Sequence, residues 1–390
     1  MKILISGAGI GGPAAARLLG RNGADVTVVE SASAVRAGGQ AVDFKGPTHR
    51  ALLERIGILA DVEAVQTAKT DWRMVDDRDR VSAVVPGEFI GGDLEVLRGD
   101  LAAILHRHSA QDAEYVFGDR IVALEERGDG LQASFASRGS ERFDLVIGAD
   151  GVHSSVRRLA FGPEEEHLRG LGACYAVAGG EVDLGDLERR RPDGRAVAYG
   201  YSVPGRFALA GGQKAPNLFV FRAGPIDLHR GDEQAQKSIL AEAFAGVGWR
   251  VPEMLTAAAQ APDFYLDALL RTTMSSFTRG RVALVGDAGY ANTLGGFGTG
   301  LALLGAYILA GELVTSGGDV AQALRSYDRR MKAPTVIARR GSAAGFLAPS
   351  SRLRIRMRDW TFANPLMLRL MMRMTDTVAT EGALPDYRLR

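Results

Sequence analysis

The sequence predicts an α/β (α+β) fold in which a Rossmann-like domain is interleaved with an antiparallel sheet and followed by C-terminal helices. The chain starts with an apolar strand, a glycine-rich turn and a helical segment, which is the order of a βαβ unit. Two later apolar segments, at 143–148 and 281–285, run into a glycine and an aspartate. The stretches between these segments alternate apolar and polar residues, as half-buried strands do. A chain of 390 residues is too long for one ordinary core, so we expect at least two domains.

The composition limits the classes of partner. The net charge is +1, so the chain has no basic field for nucleic acid. Cys174 is the one cysteine, which excludes an intramolecular disulfide, and the six histidines lack metal-ligand spacing, so we expect no metal site. No apolar run is long enough for a transmembrane helix, so we expect no stable membrane insertion. These features are typical of a cytoplasmic protein, and we expect a monomer or a weak homodimer.

The first strand, at 2–6, leads into a GxGxxG motif formed by Gly7, Gly9 and Gly12. A helical pattern and a second strand follow, and that strand ends at Glu30. In this context the motif predicts a dinucleotide site, because Gly7 allows a tight turn and Gly9 admits the pyrophosphate. Gly12 lets the helix pack closely on the strand, and Glu30 can accept hydrogen bonds from the adenosine ribose. The alternative is a glycine-rich turn in an ordinary α/β domain, and the motif alone does not separate FAD from NAD.

Further candidates lie in two loops. Arg36 follows the second strand closely and could pair with phosphates, while Gln40 could touch the cofactor ring or face solvent. Arg98 stands just before a helix predicted at 101–108, for which Asp100 is a plausible N-cap. The alternative for Arg98 is a surface arginine.

The second segment runs from its strand into Gly-Ala-Asp-Gly, and Asp150 is the candidate there. His153 could act as a base. A loop histidine is the favoured interpretation, because no constellation of acids or serines is visible around it.

The third segment reads GDAGYANTLGGFGTG at 286–300. Asp287 can bind hydroxyl groups such as those of a flavin ribityl chain. The loop that contains Gly296, Gly298 and Thr299 precedes an apolar helix, so its amides can face the negative charge of a reduced flavin ring.

Together the three segments resemble the single-component FAD-dependent aromatic hydroxylases of the para-hydroxybenzoate hydroxylase type. The matching stretches are GAGIGG (7–12) with Glu30, DLVIGADGVHSSVR (144–157) and RVALVGDAGY (281–290). Within that family, four further stretches look most like the tetracycline-inactivating monooxygenases, at 34–46, 95–101, 263–269 and 304–313.

The resemblance implies a reaction and a cofactor. NADPH or NADH binds transiently and reduces FAD, and a flavin C4a-hydroperoxide then passes one oxygen to an electron-rich carbon. The substrate would be a hydrophobic aromatic molecule, polycyclic or polyketide-like, met in antibiotic biosynthesis or antibiotic resistance. The family needs no acid–base triad, so no catalytic side chain is assigned. By motif, the residues that bind FAD are Gly7, Gly9, Ile10, Gly11, Gly12, Glu30, Ser31, Arg36, Gln40, Arg98, Asp150, Asp287, Gly296, Gly298 and Thr299.

The resemblance also divides the chain. It implies an FAD-binding domain at 1–70, 96–165 and 276–325, a substrate-binding domain at 71–95 and 166–275, and a helical region at 326–390. The alternating strands of the second domain offer substrate contacts, and for each of them an ordinary core position is the alternative: Tyr199, Phe219, Phe221 and Arg222. A tail packed over the substrate domain is favoured over a basic amphipathic helix lying on a membrane.

The third segment departs from the family pattern. The relatives carry one or two prolines between the Gly-Asp and the Gly-x-Gly, but here no proline occurs between Pro262 and Pro334. Phe297 and Gly300 also replace residues that are often polar. Proline fixes φ and has no N–H, so its absence alters stiffness and hydrogen bonding at this edge of the flavin. The alternative function is therefore a flavin-binding cyclase or isomerase of the same fold that transfers no oxygen.

Overall fold

A computed structural model describes most of the chain. The described residues are 1–36, 38–185, 187, 196–212, 217–296, 298–338, 343–379 and 384–390, with the backbone alone for 337 and 373–379. The helices are α1 (Gly11–Arg21), α2 (Gly46–Ile56), α3 (Leu59–Ala64), α4 (Gly87–Ile90), α5 (Arg98–Ser109), α6 (Ser155–Phe161), α7 (Glu164–His167), α8 (Glu233–Ala243), α9 (Val251–Gln260), α10 (Asp287–Tyr290), α11 (Gly298–Thr315), α12 (Val320–Ala338), α13 (Ala343–Leu347), α14 (Arg352–Ala363) and α15 (Pro365–Ala379).

The strands alternate with these helices along the chain. They are β1 (Lys2–Ser6), β2 (Asp25–Glu30), β3 (Ala41–Phe44), β4 (Thr70–Val75), β5 (Val81–Val85), β6 (Leu94–Leu97), β7 (Glu114–Phe117), β8 (Ile121–Arg127), β9 (Gly130–Phe135), β10 (Ser140–Phe143), β11 (Leu145–Gly148), β12 (Leu168–Ala178), β13 (Ala196–Val203), β14 (Arg206–Ala210), β15 (Asn217–Arg222), β16 (Tyr265–Thr272), β17 (Thr278–Arg279) and β18 (Val282–Leu284).

The first sheet has the strand order β17-β18-β11-β1-β2-β7. The pairs from β18 to β7 are parallel, and β17 pairs with β18 as an antiparallel hairpin. Both faces are covered, so the central strand β1 is a continuous apolar run with Ile3, Leu4 and Ile5 fully buried. The carboxyl ends of neighbouring parallel strands lie at one edge of the sheet. The loops after β1, β11 and β18 therefore meet there, which brings the three glycine-rich segments together.

The second sheet has the order β16-β12-β15-β14-β13-β4-β5, with strands from 70–85 and 168–272. All its pairs are antiparallel except β13 with β4, which is parallel. The expectation of a purely antiparallel sheet is wrong at that pair, because β4 and β13 are not joined by a hairpin that would force them to run in opposite directions. One face packs on α8 and α9, and the other faces α13, α14 and a large cavity.

Two local predictions need correction. Helix α5 begins at Arg98, and its N-cap is Leu97 without a side-chain hydrogen bond. Asp100 therefore does not cap the helix but lies in its first turn, where its negative charge still faces the positive end of the helix dipole. The apolar segment at 281–285 forms the short strand β18, and a turn at Gly280, whose φ is +55°, separates it from β17.

Helix α11 forms the centre of the first domain. By length and composition alone it could cross a membrane, but 72% of this 18-residue helix is buried inside the protein. It packs against α1 and α12. The mainly apolar composition of this helix is therefore explained by burial of most of its surface.

The last described segment, 384–390, leaves the helical region and returns to α11. The Tyr387 hydroxyl donates to Glu312 Oε1 at 2.6 Å, and the Tyr307 hydroxyl donates to the Pro385 carbonyl at 2.9 Å. The Tyr387 ring lies where a Cβ on Gly311 would stand. The prediction of a wholly helical tail over the substrate domain is thus wrong for this segment, because a glycine on α11 leaves a slot that its aromatic side chain fills.

We expect Tyr387→Phe to lower the free energy of unfolding by about 1–3 kcal/mol, because buried Glu312 then loses one hydrogen-bond donor. Chemical denaturation of the purified protein would measure the change. The control is Asp386→Asn on the same segment. Asp386 pairs with Arg55 at 2.9 Å but is exposed, so its loss should change stability by no more than about 0.5 kcal/mol. Equal effects of the two substitutions would contradict this account.

Candidate cofactor and substrate site

A cavity of about 1810 Å³ lies between the carboxyl edge of the first sheet and the second sheet. Single-ligand pockets are usually about 300–1,000 Å³, so this cavity has room for two molecules. The cavity wall includes nearly all the predicted cofactor residues, namely Gly7, Gly9, Ile10, Gly11, Glu30, Ser31, Arg36, Gln40, Arg98, Asp150, Asp287, Gly296, Gly298 and Thr299.

Gly12 is the predicted residue that the cavity does not reach. A Cβ on Gly12 would overlap the carbonyl oxygen of Gly7, so this glycine lets α1 approach the end of β1. Gly7 has φ +105°, a conformation that disfavours other residues. Gly9 is different, because the nearest atom to its Cβ position is Arg98 Nη2 at 3.4 Å. Gly12 is thus needed for packing, and Gly9 for access to the cavity.

Glu30 ends β2 at the edge of the cavity. Its carboxylate accepts hydrogen bonds from the backbone N–H groups of Ala8 at 2.8 Å and Ala32 at 2.9 Å. The Ser31 hydroxyl donates to the same carboxylate at 3.1 Å. The side chain is therefore fixed in place, and a carboxylate has lone pairs left to accept from a ribose hydroxyl.

Arg98 and Asp287 both line the cavity, and the Arg98 guanidinium lies near Gly9. In the part of the chain that the structure describes, no group accepts a hydrogen bond from the half-buried Arg98 guanidinium. Asp287 is open to the cavity but deeply enclosed. This enclosure raises the pKa of its carboxyl above the usual value, and the charge of Arg98 opposes the rise only in part. A free guanidinium beside a glycine turn suits a phosphate, and an acid beside it suits hydroxyl groups.

Asp150 shapes its own turn. Its carboxylate accepts from the backbone N–H groups of Ser155 at 2.8 Å and Val156 at 3.1 Å, at the start of α6, and from the hydroxyl of Ser154. The side chain thus holds the N-terminus of α6, and the turn presents its backbone to the cavity.

Arg36 and Gln40 lie on the cavity wall in the loop before β3. The Arg36 guanidinium stacks over the ring of Tyr265, with 4.7 Å between the guanidinium carbon and the ring centre. This contact joins the loop of the first domain to β16 of the second sheet. The backbone carbonyl of Gln40 accepts a hydrogen bond from the backbone N–H of Arg98 at 3.1 Å. This bond fixes the loop beside the start of α5.

Arg157 is a site residue that the sequence did not reveal. It is fully buried, and its guanidinium donates to the carbonyls of Ala288 at 2.9 Å and Val152 at 2.6 Å. Burial lowers its pKa, and the nearby carboxylate of Glu164 acts in the opposite direction. Arg157 therefore holds the loop after β11 against the loop that carries Asp287.

His153 lies in the loop between β11 and α6, as predicted, but it stands between two carboxylates that the sequence did not reveal. Its Nδ1 is 3.1 Å from Glu164 Oε1, and its Nε2 is 3.0 Å from Asp267 Oδ2. The Tyr265 hydroxyl donates to Asp267 at 2.9 Å. Burial opposes ionisation of Asp267, but the hydrogen bonds from His153, Tyr265 and a backbone N–H hold its pKa below the usual value.

A lowered carboxyl pKa fixes the direction of a pH effect. The stabilisation from Asp267 is complete above the unfolded pKa of about 4 and is lost as the pH falls through the lower folded pKa. Asp267 is therefore ionised at neutral pH. Among the described residues no group of three acids, histidines or cysteines is arranged to hold a metal ion.

The proline-free loop at 291–294 is stiffened by pairing with the end of β16. The Thr293 N–H donates to the Leu270 carbonyl at 3.0 Å, and the Thr272 N–H donates to the Ala291 carbonyl at 3.0 Å. The Leu270 N–H also donates to the Thr293 hydroxyl at 3.2 Å. Hydrogen bonds thus supply the rigidity that proline supplies in the family pattern.

The other departures in this segment have different outcomes. Phe297 lies outside the described residues. A Cβ on Gly300 would overlap the ring of His49, so glycine here makes room for an imidazole on the cavity wall. Burial lowers the pKa of His49, although the nearby Lys45 carbonyl raises it, so the imidazole is neutral at pH 7.

The predicted substrate contacts are wrong. Tyr199, Phe219 and Phe221 are fully or nearly fully buried on the far face of the second sheet, where they pack beneath α8 and α9. Arg222 lies at the end of β15, and its Nε donates to the Ala348 carbonyl at 2.9 Å. Alternate residues of a strand point to opposite faces, so Leu218, the neighbour of Phe219, faces the cavity instead. The apolar end of the cavity is lined by Trp72, Phe89, Ile90, Tyr175, Val177, Leu218, Phe346, Leu347 and Met371.

Comparison with known proteins identifies the class to which this fold and site belong. Residues 1–189 match the family model described as an FAD binding domain. The turn geometry of Gly7, Gly9 and Gly12 and the unpaired guanidinium of Arg98 fit the diphosphate of that cofactor. The first domain is therefore an FAD-binding domain.

Relatives narrow the class further. The chain is 36% identical over 342 residues to a flavin-dependent monooxygenase of Legionella longbeachae serogroup 1 (strain NSW150), covering 85% of each protein. It is 39% identical over 333 residues to an uncharacterized protein of Mycobacterium tuberculosis (strain ATCC 25618 / H37Rv), covering 83% of this chain and 88% of that protein. The crystal structure of the tetracycline destructase Tet(51) superposes with a TM-score of 0.81 at 30% identity, covering 99% of each chain. The chain belongs to the flavin-dependent monooxygenases.

Two glycine substitutions separate packing from cofactor access. We expect Gly12→Ala to lower the free energy of unfolding of the cofactor-free protein by about 1–3 kcal/mol or more, because the methyl group overlaps the Gly7 carbonyl. We expect Gly9→Ala to leave that stability nearly unchanged but to weaken FAD binding at least about tenfold, or ~1.4 kcal/mol. Denaturation of the cofactor-free protein and flavin titration measure the two effects. Loss of stability in Gly9→Ala without loss of FAD affinity would contradict the assignment.

Proposed function

We propose that this protein is an FAD-dependent monooxygenase that uses NADPH or NADH and O2 to hydroxylate or otherwise oxygenate a hydrophobic small molecule. The proposed substrate is a polycyclic aromatic or polyketide-like compound, as in antibiotic biosynthesis or antibiotic resistance. The observation that carries the proposal is that one continuous cavity joins the FAD cradle to an apolar pocket.

The apolar pocket supports an uncharged, aromatic substrate. The second sheet contributes Trp72, Tyr175 and Leu218, and the C-terminal helices contribute Phe346 and Met371. Flat aromatic side chains and a pliable methionine can bury a planar ring system. The likeness to a tetracycline destructase, whose name refers to a polyketide-type antibiotic, supports the same class.

The protein would hold and orient the cofactor, while the flavin, when bound, supplies the redox and oxygen chemistry. Gly9 and Arg98 would bind the diphosphate, and Asp287 would bind the ribityl chain. The amides at the start of α11 would face the ring, where the helix dipole favours negative charge. The described residues form one doubly wound sheet and no second one, which supports a nicotinamide that binds only transiently.

The function is tested with the purified flavin-loaded protein, NADPH or NADH, and a panel of aromatic polyketides that includes tetracyclines. We expect substrate-stimulated nicotinamide oxidation and a product heavier by one oxygen atom that comes from labelled O2. Labelled water is the control and should leave the product unlabelled. An isomeric product formed without nicotinamide oxidation would contradict the proposal and favour the cyclase or isomerase.

The loop at 291–294 gives a second test. Thr293→Pro removes the N–H that donates to Leu270 and the hydroxyl that accepts from it. We therefore expect a several-fold rise in the fraction of nicotinamide oxidation that ends as hydrogen peroxide. The matched control, Thr293→Val, keeps the N–H and should show a smaller rise. Unchanged peroxide yield in both variants would mean that this pairing has no part in oxygen transfer.

A further inference from the structure

Helix α14 presents an apolar stripe to solvent. Leu353 is 68% exposed, and Met357 and Trp360 are each 59% exposed. Their spacing of four and three residues places them on one face of the helix. The opposite face is packed, because Phe362 is buried and the half-buried Arg358 donates to the Phe346 carbonyl at 3.2 Å. The exposed stripe is thus not part of the core.

Helix α15 continues this surface after a break of one residue, Asn364. Leu366 is 69% exposed and Leu370 is 53% exposed, one helical turn apart. Soluble proteins expose single apolar residues commonly, but five large ones on two consecutive helices form a patch of the kind that marks an interaction site. We call the exposed side chains of these two helices the α14–α15 surface.

Arginines flank the apolar residues of the α14–α15 surface. Arg352, Arg354, Arg356 and Arg369 are exposed, and across the described ranges none of them has a carboxylate partner. Asp359 of α14 is already engaged, because it binds Arg358 at 2.9 Å and accepts from the Ser82 hydroxyl at 2.7 Å. The surface is therefore both apolar and positively charged.

We propose that the α14–α15 surface docks on an anionic lipid bilayer, with the apolar side chains in the interface and the arginines on the headgroups. A basic helix with leucine, methionine and tryptophan on one face has the pattern of an interfacial membrane helix. A second copy of the chain fits less well. A two-fold symmetric contact between α14 helices would bring the same arginines of both copies together, and Asp359, the acid of α14, is already paired.

Docking there would bring the membrane close to the substrate end of the cavity. Met371 of α15 lines the cavity, and the next residue toward the N-terminus, Leu370, is exposed on the α14–α15 surface. Phe346 lines the same end of the cavity and accepts the hydrogen bond from Arg358 of α14. An apolar compound dissolved in the bilayer would then have a short path to the pocket. The docking itself does not depend on the proposed reaction.

The test is vesicle flotation of the full-length, flavin-loaded protein. The two vesicle types are phosphatidylcholine alone and phosphatidylcholine with phosphatidylglycerol. We expect binding to the anionic vesicles that weakens as salt is raised, and little binding to the neutral ones. A blue shift of tryptophan fluorescence on binding, absent in Trp360→Phe, would place Trp360 in the lipid.

Two variants assign the binding to this surface. The triple substitution Leu353→Ser, Met357→Ser and Trp360→Ser, and separately Arg352→Gln, Arg354→Gln and Arg356→Gln, should each reduce bound protein at least several-fold. A matched control replaces three exposed arginines outside α14 and α15, namely Arg21, Arg279 and Arg325, by glutamine and should bind as the parent does. All variants change exposed side chains, and retained flavin content checks that they fold.

Three results would overturn the proposal. One is no flotation with anionic vesicles at low salt. Another is flotation that both surface variants leave unchanged. The third is a dimer in sedimentation velocity that the serine variant converts to a monomer without any vesicle binding by the parent, which would assign this surface to a second copy of the chain.

Discussion

The buried guanidinium of Arg157 is the contact on which the geometry of the cavity depends. It joins the loop after β11 to the carbonyl of Ala288, beside Asp287 on the cavity wall. Glu164 lies 3.7 Å from the same guanidinium and also contacts His153, which reaches Asp267 on the second sheet. A chain of side-chain contacts thus runs from one sheet to the other. Because each member is partly or fully buried, displacement of one leaves a buried polar group of the next without its partner, so the two walls of the cavity are held in register.

The described residues of the second sheet line the apolar end of the cavity without such charged contacts. Tyr265 and Asp267 satisfy each other, and the strand residues beyond them on the cavity face are apolar. The cofactor end is polar and combines the backbone of the glycine turns with the side chains of Glu30, Arg98 and Asp287. This division gives each part of the cavity one task. The backbone N–H groups at the FAD-binding end provide fixed dipoles. The apolar end excludes water and offers a surface complementary to the shape of an apolar molecule.

The sequence predicted the parts of the structure that local spacing controls. The GxGxxG motif and Glu30 predicted the turn after β1. The two later segments with a glycine and an aspartate predicted the neighbouring turns, because adjacent parallel strands end at one edge of a sheet. The sequence did not predict in the same way which residues of the second sheet face the cavity. Phe219 and Leu218 are both apolar, and only the placement of α8 and α9 decides which one faces the cavity. His153 and Asp267 are 114 positions apart in the chain, so nothing in the local pattern connects them. The rigid pairing of Thr293 with β16 likewise replaces a proline by a contact that only the tertiary structure creates.

The segment at 384–390 has a consequence for how the protein folds. Tyr387 fills the slot at Gly311, and the backbone N–H of Arg390 donates to Asn22 Oδ1 at 3.2 Å, beside the end of α1. Asn22 and Arg390 are 368 positions apart in the chain, so this contact closes a very long loop, which costs conformational entropy. The packing of the Tyr387 ring beside Gly311 offsets that cost and ties the segment to a domain in which α1 already packs on α5 and α11.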